Sequence, residues 1–183
     1  MAQSLPTALT LGATALLLVA CGQAVKPPQS AGQEQVTPGA TKIDATFIDT
    51  ATTQGLAELA LARLATTAAA DAATRDFAGK IAADHTTVDQ QLAALAQDQG
   101  MTPPTTMDAS HQTQFQQLQS LHGAAFDHTY MRGQLQDITI TIQTYQHEAD
   151  SGAIPQVRSF ASQYLPMMQQ HLQRALAVPA AGP

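Results

Sequence analysis

The sequence predicts an all-α fold of four long helices in two hairpins, joined by a long crossover connection that carries a short extra helix. Three observations predict it. Residues 43–177 are rich in Ala, Leu and Gln and lack the period-two alternation of strands. Glycine, proline and Asx punctuation falls at only a few places in this stretch. Arg75-Asp76-Phe77-Ala78 returns as Arg158-Ser159-Phe160-Ala161, a weak internal repeat that opens the second and the last helix alike and implies a pair of hairpins.

The first helix covers about residues 44–69. Asp71 reads as the N-cap of the second, which ends at Gly100, a glycine suited to the residue after a helix and followed by the Pro103-Pro104 stop. In the connection that follows, residues 108–121 are periodic enough for a short helix. The third long helix spans about 124–149. Ser151-Gly152 then break the chain, and Pro155 sits in the first turn of the last helix, where its missing N–H has no intrahelical partner to lose.

At 100° per residue, spacing alone assigns the inward faces. Glu58 lies in the stripe of Phe47, Ala51, Ala62 and Ala65; His85 lies in that of Ala78, Ile81, Leu92 and Ala96; His171 lies in that of Val157, Phe160, Tyr164 and Ala175. On the third long helix Ile138 holds the centre of a stripe of Met131, Ile142, Tyr145 and Ala149, with no charge at its middle. Glu58, His85 and His171 thus come from three helices and point inward. A carboxylate with two imidazoles suits Fe, Zn or Mn, and Glu148 and Asp84, at the flanks of their stripes, could complete such a site or face water. Against a di-iron centre, Ala82 and Met168 stand where a carboxylate should precede each histidine. The competing reading is a hydrogen-bonded polar cluster that fixes helix register. His111, His122, His128 and His147 are expected to be solvated.

The amino terminus reads as an address. Residues 9–19 form an apolar run too short to span a bilayer but suited to a signal peptide, although residues 1–7 carry no Lys or Arg. The run ends in Leu18-Val19-Ala20-Cys21-Gly22, which resembles the bacterial lipobox, so the lone cysteine stands where a lipid would be attached. Residues 22–42 are rich in Gln, Pro, Gly, Ser and Thr and read as a tether with a reach of roughly 25 Å. The expected organisation is a lipoprotein signal peptide over 1–20, lipidated Cys21 and a disordered tether over 21–42, the bundle over 43–177 and a flexible tail over 178–183. The expected place is the cell envelope, as a periplasm-facing lipoprotein. Gly22, rather than Asp, after the cysteine leans towards the outer membrane.

The 183 residues carry 8 Lys+Arg against 14 Asp+Glu, a net charge of −6, which argues against a nucleic-acid partner. One cysteine excludes a disulfide framework, and with no Trp a stacking platform is disfavoured. No Ser or Cys nucleophile motif, phosphate loop, HExxH or paired-carboxylate signature occurs, so no catalytic residue is expected and a non-enzyme is the preferred reading. Two functions are expected: a lipid-anchored, non-catalytic helical module that binds an envelope protein or small ligand, or a metal-binding bundle for storage, sensing or oxidation.

Two hairpins joined by one crossover have the topology of ferritin-like bundles. Phe47-Ile48 through Gly55-Leu56-Ala57-Glu58, Phe77-Ala78 with Asp84-His85-Thr86, Gly123-Ala124-Ala125-Phe126 with Tyr130-Met131, and Leu165-Pro166 with His171-Leu172 together resemble the bacterial domain-of-unknown-function family 4142 over residues 47–177. The resemblance implies a ferritin-related bundle in an exported, outer-membrane protein with no established activity. It also implies a further His where this chain has Ile138.

Overall fold

A computed structural model describes residues 38–181, with side chains over 42–180. Among these the chain is all helical: α1 (Pro38–Ala68), α2 (Ala72–Asp98), α3 (Ala109–Gln119), α4 (Gly123–Ser151) and α5 (Pro155–Ala177), then a 3₁₀ turn at Pro179–Ala181. No described helix is long and apolar enough to cross a membrane. The punctuation acts where it was expected. Asp71 caps α2 by accepting from the Thr74 amide at 2.9 Å, Gly100 takes a positive φ of 69° just past its end, and Pro155 opens α5. Two boundaries differ. α1 begins at Pro38 rather than near residue 44, since proline fits a first helical position and no second one interrupts the segment. The expected tail begins with Val178 buried, and the 3₁₀ turn packs on α4 and α5.

α1 packs on α2 and α4 on α5, while α1 meets α4 and α2 meets α5. The contacts fix the directions. Asp44 near the start of α1 meets the end of α4, and Asp127 near the start of α4 meets the end of α1. Asp84 and Gln91 of α2 meet His171 and Tyr164 of α5 in reverse order. Each of these four pairs of long helices is therefore antiparallel, and the connection after α2, with α3 in it, must run the length of the bundle.

The structure extends the sequence repeat. Asp127 follows Asp44 by the interval that separates Arg158 from Arg75, within Asp44-Ala45-Thr46-Phe47-Ile48 and Asp127-His128-Thr129-Tyr130-Met131. Each aspartate crosses to the other hairpin. Asp127 accepts the Ala70 and Asp71 amides at 2.9 Å each, bridging the α1–α2 turn. Asp44 accepts the Ala153 and Ile154 amides at 3.1 and 2.8 Å, bridging the α4–α5 turn. The arginines stay at home: Arg75 donates to the Ala69 carbonyl at 2.8 Å and Arg158 to the Gly152 carbonyl at 2.9 Å. Backbone groups that two tight turns would strand are thus satisfied by charged side chains.

The interior holds two apolar clusters. One gathers Leu61, Phe77, Ile81, Phe126, Tyr130 and Ile138. The other gathers Phe47, Val88, Leu92, Tyr145, Phe160 and Met168. Between them, one turn from members of each, lie His85, Thr141 and His171, with Glu58 and Gln134 one turn from members of the first; all five are buried.

Candidate functional site

Glu58, His85 and His171 face inward as their spacing requires, because each interrupts a stripe whose remaining members are needed in the core. His171 Nε2 lies 2.8 Å from Asp84 Oδ2. Burial holds this imidazole down to about 4, His85 adding to the effect against the pull of Asp84, so it is neutral at pH 7 and its Nε2–H donates to the carboxylate. For Asp84 burial acts upward but Lys80 and His171 outweigh it, and its carboxyl falls below the ordinary range. His85 is the opposite case. Burial disfavours its cation, yet Asp89, Glu58 and Asp84 together hold its pKa above the usual value. Its Nδ1 lies 3.6 Å from Asp89 Oδ1, and its ring centroid lies 5.8 Å from that of His171.

Glu58 is pushed up to about 7 by burial, with Asp137 adding and His85, the Gln134 amide and His111 opposing. The amide approaches without reaching hydrogen-bond geometry. Both Glu58 oxygens, the Tyr130 hydroxyl, both ends of the Gln134 amide, and Nδ1 of His85 and of His171 are buried with no hydrogen-bond partner in the protein. Each such group carries a desolvation cost of about 1–3 kcal/mol, which a merely structural layer would avoid.

The four candidates do not form one constellation. Glu148 is fully buried, neither exposed nor beside Glu58: it lies two turns along α4 from Thr141, roughly 10 Å at the helical rise, next to Asp44 and Arg158. Burial and then Asp44 push it up to about 8, against Arg158. Spacing put it at a stripe flank, and the packed α4–α5 turn covers that flank. Among the described residues no three His, Cys, Asp or Glu side chains are arranged to hold a metal ion. The donor set is not gathered for Fe, Zn or Mn, because Glu148 stands apart from Glu58, His85 and His171. Cys21 lies outside the described residues. Ile138 fills its position as an apolar core residue.

His122, His128 and His147 are exposed as expected, but His111 is not a freely solvated imidazole. It bonds Asp108 at 2.7 Å and lies 3.8 Å from Asp137, clamping α3 to α4, and Gly133 lets Gln114 approach α4 where a Cβ would collide with it. Asp137 first, then Asp108 against burial, raise His111 to about 9. An NMR titration should place its imidazole well above its ordinary value, and Asp137→Asn should bring it down; an unchanged midpoint would remove Asp137 as the cause.

Sequence reasoning missed Asp44, Asp127, Gln134 and Asp89. The signal for the first two was the Asp-x-Thr-aromatic-aliphatic recurrence at Asp44 and Asp127. Aligned on it, the repeat sets Glu58 against Thr141, His85 against Met168, His171 against Val88 and Glu148 against Ala65. All four counterparts are buried and none is ionisable. The hairpin fold therefore does not require an ionisable group at these places, whereas the paired Asp and Arg occur in both halves.

Neither the curated proteins nor the solved structures give a match. The family model described as Domain of unknown function (DUF4142) matches residues 27–178, most of the chain and all four long helices, and the chain belongs to this family.

Proposed function

We propose that the chain is a lipid-anchored helical module of the cell envelope, exported, acylated at Cys21, tethered to the outer membrane facing the periplasm, and non-catalytic, with a bundle that binds an envelope protein or small ligand. The observation that carries the reading is the lone cysteine in Leu18-Val19-Ala20-Cys21-Gly22, closing an apolar run and followed by a Gln- and Pro-rich segment before α1. A ferritin-like topology is supported by the helix directions, α1 with α5 one way and α2 with α4 the other. A binding role is supported by the polar layer, whose ionisable members the repeat replaces with neutral residues.

Expression of the full chain in a bacterium tests the anchor. The wild type should sediment with membranes and carry a diacylglyceryl-modified amino-terminal cysteine by mass spectrometry, and Cys21→Ser should move to the soluble fraction. Equal sedimentation of the two proteins, or an unmodified Cys21, would overturn it. A stoichiometric Fe, Zn or Mn after reconstitution, lost in His171→Ala, would put the storage, sensing or oxidation alternative in its place.

A further inference from the structure

A hollow of about 390 Å³ lies between α1, α2 and the start of the connection that follows α2. Leu56, Leu92, Ala93 and Met101 give it apolar walls, and Thr52 and Asp89 are among its polar lining residues. Thr52 Oγ1 and Asp89 Oδ2 are both buried with no hydrogen-bond partner in the protein. The other Asp89 oxygen faces His85 at 3.6 Å. The carboxylate rests on Gly55, where any Cβ would collide with it. Glycine in a helix interior costs about 1 kcal/mol relative to alanine, so the position is kept open at the expense of the helix.

The second hairpin is an internal control. The repeat sets Thr52, Gly55 and Asp89 against Leu135, Ile138 and Leu172, which pack into the apolar core. The same helix pair can thus be closed with aliphatic side chains, and in the first hairpin those three are replaced by a hydroxyl, a bare Cα and a carboxylate.

We propose that this hollow binds a small primary ammonium ligand bearing a short apolar chain. The head donates to the Asp89 carboxylate and the Thr52 hydroxyl, each turning about its side-chain bonds to bring its unpartnered oxygen into the hollow, and the chain lies along Leu56, Leu92 and Met101. Two acceptors without a partner at one hollow call for a head with more than one N–H or O–H, which an ammonium has and an alcohol lacks. The carboxylate repels an anion, and a hydrogen bond to a charged donor is about twice as strong as a neutral one. The volume, at the small end of ligand pockets, has ample room for an amine with a short chain. The proposal deepens the binding half of the function proposed above and does not depend on its anchor.

The test uses the full chain in detergent, with ¹³C-methyl methionine as reporter and n-pentylammonium, 1-pentanol and pentanoate as probes. Saturable displacement of the Met101 methyl signal by n-pentylammonium is expected, at least tenfold tighter than by 1-pentanol, with none from pentanoate. Asp89→Asn should weaken the ammonium at least tenfold and leave the alcohol unchanged. Asp89→Leu follows the residue at Leu172, so it should keep the helical circular dichroism and lose the ammonium. Equal binding of alcohol and ammonium, wild-type binding by Asp89→Asn, or no saturable displacement by any probe would overturn the proposal, and membrane sedimentation of the wild type would be unaffected by any of these outcomes.

Discussion

Replacing Asp127 by alanine is expected to destabilise the bundle by about 3 kcal/mol, and Asp44→Ala by a similar amount. Each carboxylate is buried and accepts two backbone amides of the other hairpin's turn. A hydrogen bond to a charged acceptor contributes roughly 1.5–3 kcal/mol, and deleting the acceptor leaves two turn amides unpaired. The two sites lie at opposite ends of the bundle, so the double variant should lose the sum of the single losses to within about 0.5 kcal/mol. Urea denaturation gives all three values. Single losses below about 1 kcal/mol would mean that solvent serves the turns as well as the carboxylates do.

The second large effect is alkaline weakening that Glu58→Gln relieves. Burial lifts Glu58 from 4.5 to about 7 and Glu148 from 4.5 to about 8. Between the ordinary and the raised pKa the folded chain binds the proton that the unfolded chain has lost, so stability falls as pH rises through this window. For Glu58 the displacement is worth roughly 3 kcal/mol, fully lost above its folded pKa. His111, raised to about 9, adds a smaller, partly screened loss above neutrality, since it holds its stabilising charge until the solution approaches that value. His171, lowered to about 4, acts the other way, and its contribution is gained as pH rises from 4 to its ordinary value. Stability should therefore peak on the acid side of neutrality. Glu58→Gln should match the wild type near pH 5 and exceed it by about 3 kcal/mol at pH 8. A stability difference that stays the same at both pH values would remove Glu58 as the titrating group.

The helices were legible because their ends are written in single residues: Asp71, Gly100 and Pro155 each act through their own backbone. Glu58, His85 and His171 were legible because a 100° step needs no tertiary knowledge. Asp44 and Asp127 were not, since their partners are turn amides far along the chain on another hairpin. Glu148 stayed ambiguous because a stripe's flank is buried or exposed according to what packs over it, here the α4–α5 turn. Asp89 escaped because its meaning depends on Gly55, one helix away, and on a connection whose path the sequence does not define. His111 was misjudged for the same reason: Asp137, one of its two carboxylates, sits on α4.

The exchange of aspartates between hairpins has the form of an isologous contact, in which a group on one copy meets a site on the second and is met by the same group in return. A bundle so built behaves as a two-fold dimer whose protomers share one polypeptide. Symmetric dimers of identical chains must install every substitution twice, once on each side of the axis. Fusion lifts that obligation, which is how a glycine, a carboxylate and an imidazole can stand on one side of the axis while isoleucine, leucine and methionine hold the other, and how a second imidazole on that other side can face a valine on the first.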